Sequence, residues 1–311
     1  MARQSKPRGG SLQFWPRKRA YRRLPSVNWP AISSNNRVLG LISYKVGMAS
    51  CLVKDLTPNS LTKDKKIIIP CSILEIPAMK IFSVRFYKDG RVMKEILAEN
   101  LDKELIRKVK LPKKKLESID SVKDYDDIRM IVYSIPDFKK TPDIIEIGMS
   151  GKLEEKLGFV KEKSGKEILA SEIFKDAKMV DVRGVTKGKG TEGPVTRFGI
   201  KKRQHKSEKG VRRPGTLGPW HPAHVQFRVP IAGQLGLFTR EVYNLRILKI
   251  GKVNEDINRN EGFKHYGKIN AEYAIIKGSV PGPAKRQLLL TMPLRISKKQ
   301  KKKNYEFLGF R

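Results

Sequence analysis

The chain has 311 residues, 39% of them hydrophobic, enough for one sizeable core with extensions or for two modest domains. Its 66 Lys and Arg against 31 Asp and Glu leave a formal charge of +35, far beyond what solubility requires, so a polyanionic partner is expected to offset the self-repulsion. There is no run of roughly 18 or more apolar residues and no basic helix with a strong apolar face, and Met1 to Gly10 lacks the apolar stretch of a secretory signal; membrane partners are not expected and a cytoplasmic chain is.

Residues 1–23 carry eight basic and no acidic residues, interleaved with Phe14, Trp15 and Tyr21 and broken by Pro7 and Pro16. Such a stretch buries little of itself, so residues 1–36 read as a basic arm ordered by the surface it lies on. β-like runs follow at Val38 to Val46, Cys51 to Leu56, Lys66 to Ile76 and Ile81 to Tyr87. Thr57-Pro58-Asn59-Ser60 and Lys88-Asp89-Gly90 supply turns. Pro70 points to an edge or a bend. Residues 37–87 are expected to form the first part of a β core. Cys51 and Cys71 lie in or beside apolar runs and read as buried thiols of a reducing compartment, too few for a metal site.

From Glu99 to Asp181 the balance changes to 18 basic and 18 acidic residues. Residues 88–178 read as an inserted α+β subdomain with an ordinary solvated surface. Leu101, Leu105 and Val109 predict a helix that stops at Pro112, Met130 to Ile135 a strand, and Lys152 to Leu157 and Ala170 to Phe174 short helices. Strand patterns resume at Met179 to Val185, Val242 to Ile250, Tyr273 to Val280 and Gln287 to Leu294. Residues 179–185 are therefore expected as a core strand and 241–294 as the second part of one β core built from both halves. Residues 295–311 read as a basic tail, with six basic residues between Arg295 and Lys303. Internal repeats are absent.

The stretch from Gly184 to Gly236 holds ten glycines and five prolines, too many for a helix or regular sheet of that length. Ten basic residues between Lys187 and Arg213 face only Glu192 and Glu208. A loop of this length needs either disorder or a function. Phe198, Trp220, Phe227 and the Pro219-Trp220-His221-Pro222 cluster set it apart from a disordered tail, which would be poor in aromatics. Glycine lets backbone approach phosphates, Lys and Arg neutralise them, and rings stack on unpaired bases. RNA with bulges and splayed bases fits this mixture better than smooth DNA duplex.

Enzymatic alternatives find little support. Gly184 to Gly190 has glycines and a lysine but the wrong spacing for a phosphate loop, and no Ser or Thr follows the lysine. His221 and His224, with His205 and His265, have no nearby cysteine to complete a zinc pattern. Glu192 and Glu208 lack a paired carboxylate, and Asp126-Asp127 belongs to the charge-balanced stretch. No catalytic residue, cofactor or metal is expected. A free-standing nucleic-acid chaperone and an RNA-processing enzyme are the competing classes.

Gly184 to Gly190, Val195 to Gly199 and Gly218 to Val225, with Met1 to Gly10 and Gly40 to Gly47, closely resemble the family of the universal third protein of the large ribosomal subunit, in its archaeal and eukaryotic form. The resemblance spans nearly the whole chain. It implies a mainly β fold: a β-barrel of the translation-protein type with an inserted α+β subdomain and long extensions into RNA. It implies a non-catalytic protein that binds the rRNA, especially its 3′ region, beside neighbouring large-subunit proteins, and helps nucleate assembly. Residues 186–240 then form a central extension ending in a tryptophan finger near the peptidyl transferase centre, with indirect coupling to transfer RNA. The finger falls on Gly218, Trp220, His221 and His224. The rRNA-binding residues implied are Arg17, Lys18, Arg19, Arg22 and Arg23 in the arm. In the extension they are Lys187, Lys189, Arg197, Lys201, Lys202, Arg203, His205, Lys206, Lys209, Arg212 and Arg213. The sequence departs from the eukaryotic form in a shorter C-terminal extension and in Arg212 to Leu217.

Overall fold

The computed structural model describes residues 14–112, 118–174, 177–207, 209–252, 257–258 and 260–311. Met1 to Gly10 and Glu208, used above, lie outside the described residues. The chain divides into two compact units, one of Met1–Arg23 with Val185–Thr239, the other of Leu24–Gly184 with Arg240–Arg311.

In chain order the strands and helices begin with β1 (Gly40–Asp55), β2 (Lys66–Ile76), β3 (Met79–Lys88), β4 (Arg91–Leu97), β5 (Asp127–Ser134) and β6 (Asp143–Gly148). Next come α1 (Leu153–Lys163), α2 (Ala170–Ile173), β7 (Met179–Val185), β8 (Gly190–Glu192), α3 (Pro194–Phe198) and β9 (Gly233–Leu235). The chain ends with β10 (Thr239–Gly251), β11 (Glu272–Lys277), β12 (Gln287–Thr291), α4 (Lys298–Lys302) and β13 (Tyr305–Phe310).

The molecule is mainly β, as expected, but the β-barrel with an α+β insert is not what forms. Among the described residues there are three sheets: seven strands in the order β12-β7-β10-β11-β2-β1-β13, four in the order β4-β3-β5-β6, and the pair β8-β9. Because β12 also pairs with β1, strands of the large sheet run in a ring, yet the ring is branched rather than a barrel wall. The cause is the length of β1. Its first part, Gly40 to Tyr44, pairs with β12, its last part, Cys51 to Asp55, pairs with β13, and its other edge follows β2 from Tyr44 to Lys54. The run Ile81 to Tyr87, read with the core strands, instead pairs on both edges inside the four-stranded sheet.

Strand chemistry explains the main pairings. The hydrophobic residues of β7, β11 and β12 are buried, and so are those of β2 apart from Ile67 and Ile68 at its start, as strands covered on both faces require. Pro70 sits inside β2, between two strands, but β11 ends at Lys277 opposite Cys71, one residue short of it. The missing N–H is therefore not asked for on that side, and the Pro70 carbonyl takes its bond from the Gly278 N–H at 2.9 Å. Trp29, in a single 3-10 turn, is buried against Gly148, where an added Cβ would lie 2.7 Å from the Trp29 side chain. Between the two larger sheets, the buried Tyr44 hydroxyl donates to Asp143 at 2.7 Å.

Cys51 and Cys71 are buried, but not as thiols: they are joined in a disulfide. Register accounts for it. Cys51 pairs with Ile69 and Cys71 with Ala49, so the cysteines are diagonal neighbours on adjacent strands, with Cα atoms 6.2 Å apart.

Helices are sparse. The helix expected around Leu105 is one 3-10 turn, Lys103–Arg107, with Leu105 buried. α1 extends six residues past the expected Leu157 end, since Leu153, Leu157 and Val160 share a face while Glu154 and Glu155 begin the helix and Lys161 and Lys163 end it. The tail is more ordered than its charge suggests, because Tyr305, Phe307 and Phe310 of β13 pack on the core.

Candidate nucleic-acid interface

The smaller unit is built around a narrow stem. β8 and β9 pair from Gly190 opposite Leu235 to Glu192 opposite Gly233, and Thr186 and Lys189 extend the ladder by donating to the carbonyls of Phe238 and Leu235. Gly236 closes it with φ +76°, and a Cβ there would lie 2.0 Å from the Lys187 carbonyl oxygen. No other residue fits that position. α3 follows β8, opened by Pro194 and ended by Gly199 in the left-handed conformation, as helix chemistry favours. The glycine-rich stretch therefore carries short elements of its own.

The N-terminal segment packs on this stem. Arg17 donates to the Arg197 carbonyl at 3.0 Å, Arg19 donates to the Gln234 side chain at 3.2 Å, and the Ala20 N–H donates to the Leu237 carbonyl at 2.7 Å. Trp15 lies 6.1 Å from the Phe198 ring and 5.8 Å, edge-on, from the Phe227 ring. The Arg17 guanidinium sits 4.4 Å from the centre of the Phe198 ring. Residues almost two hundred positions apart thus make one small structured body.

Arg197 is its clamp. Its guanidinium donates to the carbonyls of Gln234 at 3.0 Å, Ile231 at 3.2 Å and Arg17 at 3.4 Å. Burial, and then the charge of Arg17, pull its pKa down from the ordinary guanidinium value. Predicted as a phosphate contact, Arg197 spends its donors on holding the arm to the stem. Phe198 and Phe227, predicted as base-stacking rings, pack against Trp15.

The remaining predicted cations face solvent. Lys18, Arg19, Arg22 and Arg23 are exposed, as are Lys187, Lys189, Lys201, Lys202, Arg203, His205, Lys206, Lys209, Arg212 and Arg213. Arg203 donates to the Pro214 carbonyl at 2.7 Å and Arg212 to the Thr196 hydroxyl at 3.3 Å, which shapes the backbone without neutralising charge. Among the described residues, none of these lysines in residues 187–209 has a carboxylate partner.

At the tip, Trp220 is 87% exposed, on a loop from Leu217 to Val225 that encloses a shallow recess of about 390 Å³. The His221–Pro222 peptide is cis, and the His224 N–H donates to the Pro222 carbonyl at 2.7 Å. Gly218, Trp220, His221 and His224 come together here by sequence proximity alone. His205, His221 and His224 are exposed, and among the described residues no three His, Cys, Asp or Glu side chains gather as metal ligands.

Sequence reasoning missed the attachment of Trp15 and Arg17 to α3 and the clamp role of Arg197. The only available signal was compositional: two aromatic-basic stretches, Phe14 to Arg19 and Arg197 to Phe198, that a single sequence cannot pair.

Comparison with known proteins points the same way. The model of the family described as ribosomal protein L3 matches residues 1–127 and 113–308. The large ribosomal subunit protein uL3 of Methanocaldococcus jannaschii is 41% identical over 309 residues, covering 94% of this chain and 92% of that protein. Its counterpart in Archaeoglobus fulgidus is 40% identical over 306 residues, covering 93% and 92%, and that in Methanothermobacter thermautotrophicus 41% identical over 322 residues, covering 96% and 95%. Similarity of this extent, together with the exposed cationic surface of the smaller unit, leads to one conclusion: the chain belongs to the ribosomal protein L3 family.

Proposed function

We propose that the chain is a non-catalytic structural constituent of the large ribosomal subunit, in the cytoplasm, where it binds rRNA and helps nucleate assembly. The observation that carries this reading is the set of exposed cations Lys187, Lys189 and Lys201 to Arg213, set on an ordered stem and, among the described residues, unanswered by carboxylates. Solvated charge that no carboxylate neutralises gains most from phosphates, through counterion release. The arm cations Lys18, Arg19, Arg22 and Arg23 add to the same surface. The 3′ region of the rRNA is the expected target, with neighbouring large-subunit proteins covering other faces.

The tip has a separate role. Trp220 is held out by the stem, the Pro219 and Pro222 flanks limit its backbone, and it packs too little to serve folding. It is the finger directed toward the peptidyl transferase centre, coupled indirectly to transfer-RNA accommodation, while peptide-bond chemistry belongs to the rRNA.

Fractionation of cell lysate tests the reading: the chain should remain with large subunits in moderate salt, and recovery mainly as free protein would contradict it. Trp220→Ala should leave the melting temperature and reconstitution onto rRNA unchanged, with stability altered by less than about 0.5 kcal/mol, while slowing transfer-RNA accommodation. Failure of that variant to reconstitute would contradict the division of roles.

A further inference from the structure

In the larger unit, away from the cations already discussed, Arg246 on β10 is only 6% exposed, yet no carboxylate among the described residues faces it. Its guanidinium donates to the Gln300 carbonyl at 3.2 Å and the Asn304 side-chain oxygen at 3.1 Å, and lies 5.9 Å from the Tyr305 ring. Neutral acceptors orient a cation but do not cancel its charge, and burial pulls its pKa down. By contrast, the equally buried Arg183 pairs with Glu241 at 2.8 Å.

Arg246 lines a cavity of about 460 Å³. Lys178 and Lys301 stand exposed at its border, Met179, Met292 and Ile296 give it an apolar wall, and the turn from Ser33 to Asn36 gives it a polar rim. Among the described residues, no acidic side chain lines it. The size suits a small organic group, within the roughly 300–1,000 Å³ of ordinary ligand sites. Three cations beside two thioethers and an exposed isoleucine combine an anion site with a face for a flat ring.

We infer that this cavity receives one unpaired nucleotide of the bound RNA, its phosphate between Arg246, Lys178 and Lys301 and its base against Met179, Met292 and Ile296. A base held in a helix cannot enter a recess of this shape, whereas a splayed one can. The phosphate supplies the counter-charge that Arg246 lacks among the described residues. The inference rests on the RNA-binding reading above and adds a second contact, on the larger unit.

Ultraviolet crosslinking with peptide mapping on assembled large subunits tests it. The expected result is a nucleotide adduct on the peptides holding Met179 or Met292 to Ile296, lost in the Lys178→Glu, Lys301→Glu double variant, while adducts between Lys201 and Arg213 persist. Both lysines are exposed, so the double variant should fold, and its rRNA binding should show a salt slope shallower by roughly 0.7, for the one phosphate lost. Adducts between Lys201 and Arg213 with none at the cavity, and an unchanged slope, would overturn the inference and leave the RNA-binding reading standing. A protein side chain crosslinked into the cavity would overturn it in favour of a protein neighbour. Adducts at neither place would overturn the RNA-binding reading itself.

Discussion

In the four-stranded sheet, Arg85 donates to Glu95 at 2.7 Å and to Glu146 at 2.9 Å, and Arg129 donates to Glu146 at 3.0 Å and to Asp127 at 3.2 Å. In the smaller unit, Arg197 donates only to carbonyl oxygens and the lysines beyond it face water. Burial alone would lower the pKa of Arg85 and Arg129, but their carboxylates raise it; for Arg197 burial and Arg17 act together and lower it. The same residue type thus closes a surface in one region and leaves one open in the other. The charge balance separates the two in bulk, and the company each cation keeps shows how.

The largest effect that could break this comparison comes from the open surface. Replacing Lys201, Lys202, Arg203 and Lys206 together by Ala should weaken rRNA binding roughly 10³-fold near 0.1 M salt, by filter binding. The next comes from the closed one. Glu75, buried, accepts hydrogen bonds from the Asn270 N–H at 3.0 Å, the Ala271 N–H at 2.9 Å and the Tyr266 hydroxyl. Glu75→Ala strands all three donors and should cost about 3 kcal/mol in urea unfolding, with the salt slope of RNA binding intact.

Arg197→Ala should be milder, about 1–2 kcal/mol, and local: faster exchange of the Ala20 and Lys189 amides, which donate to Leu237 and Leu235 where the arm and stem meet. Protection unchanged there would remove Arg197 from its clamp role. The smallest effect is a matter of pH. Burial would raise the Asp55 pKa, but hydrogen bonds from Thr57, Thr62 and Ser60 hold it well below the ordinary carboxylate value of 3.8. A depressed folded-state pKa stabilises the protein above that ordinary value, and the stabilisation is lost as pH falls through the depressed one. Asp55→Asn should therefore lower the melting temperature near neutrality and flatten its fall in acid. An unchanged acid limb would show that Asp55 carries no such linkage.

Much of the fold was legible. The bounds of β2 and β7 could be read directly from Lys66 to Ile76 and Met179 to Val185, since the first is rich in Ile and the second in Val and their apolar residues are mostly buried. β4 was not, because Arg91 to Leu97 is charged and largely exposed, and its pairing with β3 rather than its own composition makes it a strand. β6 and β13 were missed for a related reason: each is six residues long and is specified by its neighbour. The β-barrel came from resemblance, and what replaced it, the branching of β1 between β12 and β13, depends on register. So does the Cys51–Cys71 disulfide. At the interface, the exposed lysines and Trp220 could be read from composition, whereas the packing of Trp15 on Phe198 and Phe227 joins segments too distant for any local signal.

The division between a closed body and an open cationic unit is tested most directly by the slope of log affinity against log salt for rRNA binding, in the unaltered chain and in the Lys201, Lys202, Arg203, Lys206→Ala variant. The account predicts a slope shallower by roughly 3 in the variant, with the melting temperature unchanged. Equal slopes would contradict it, because the exposed cations would then not be the groups that meet the phosphates.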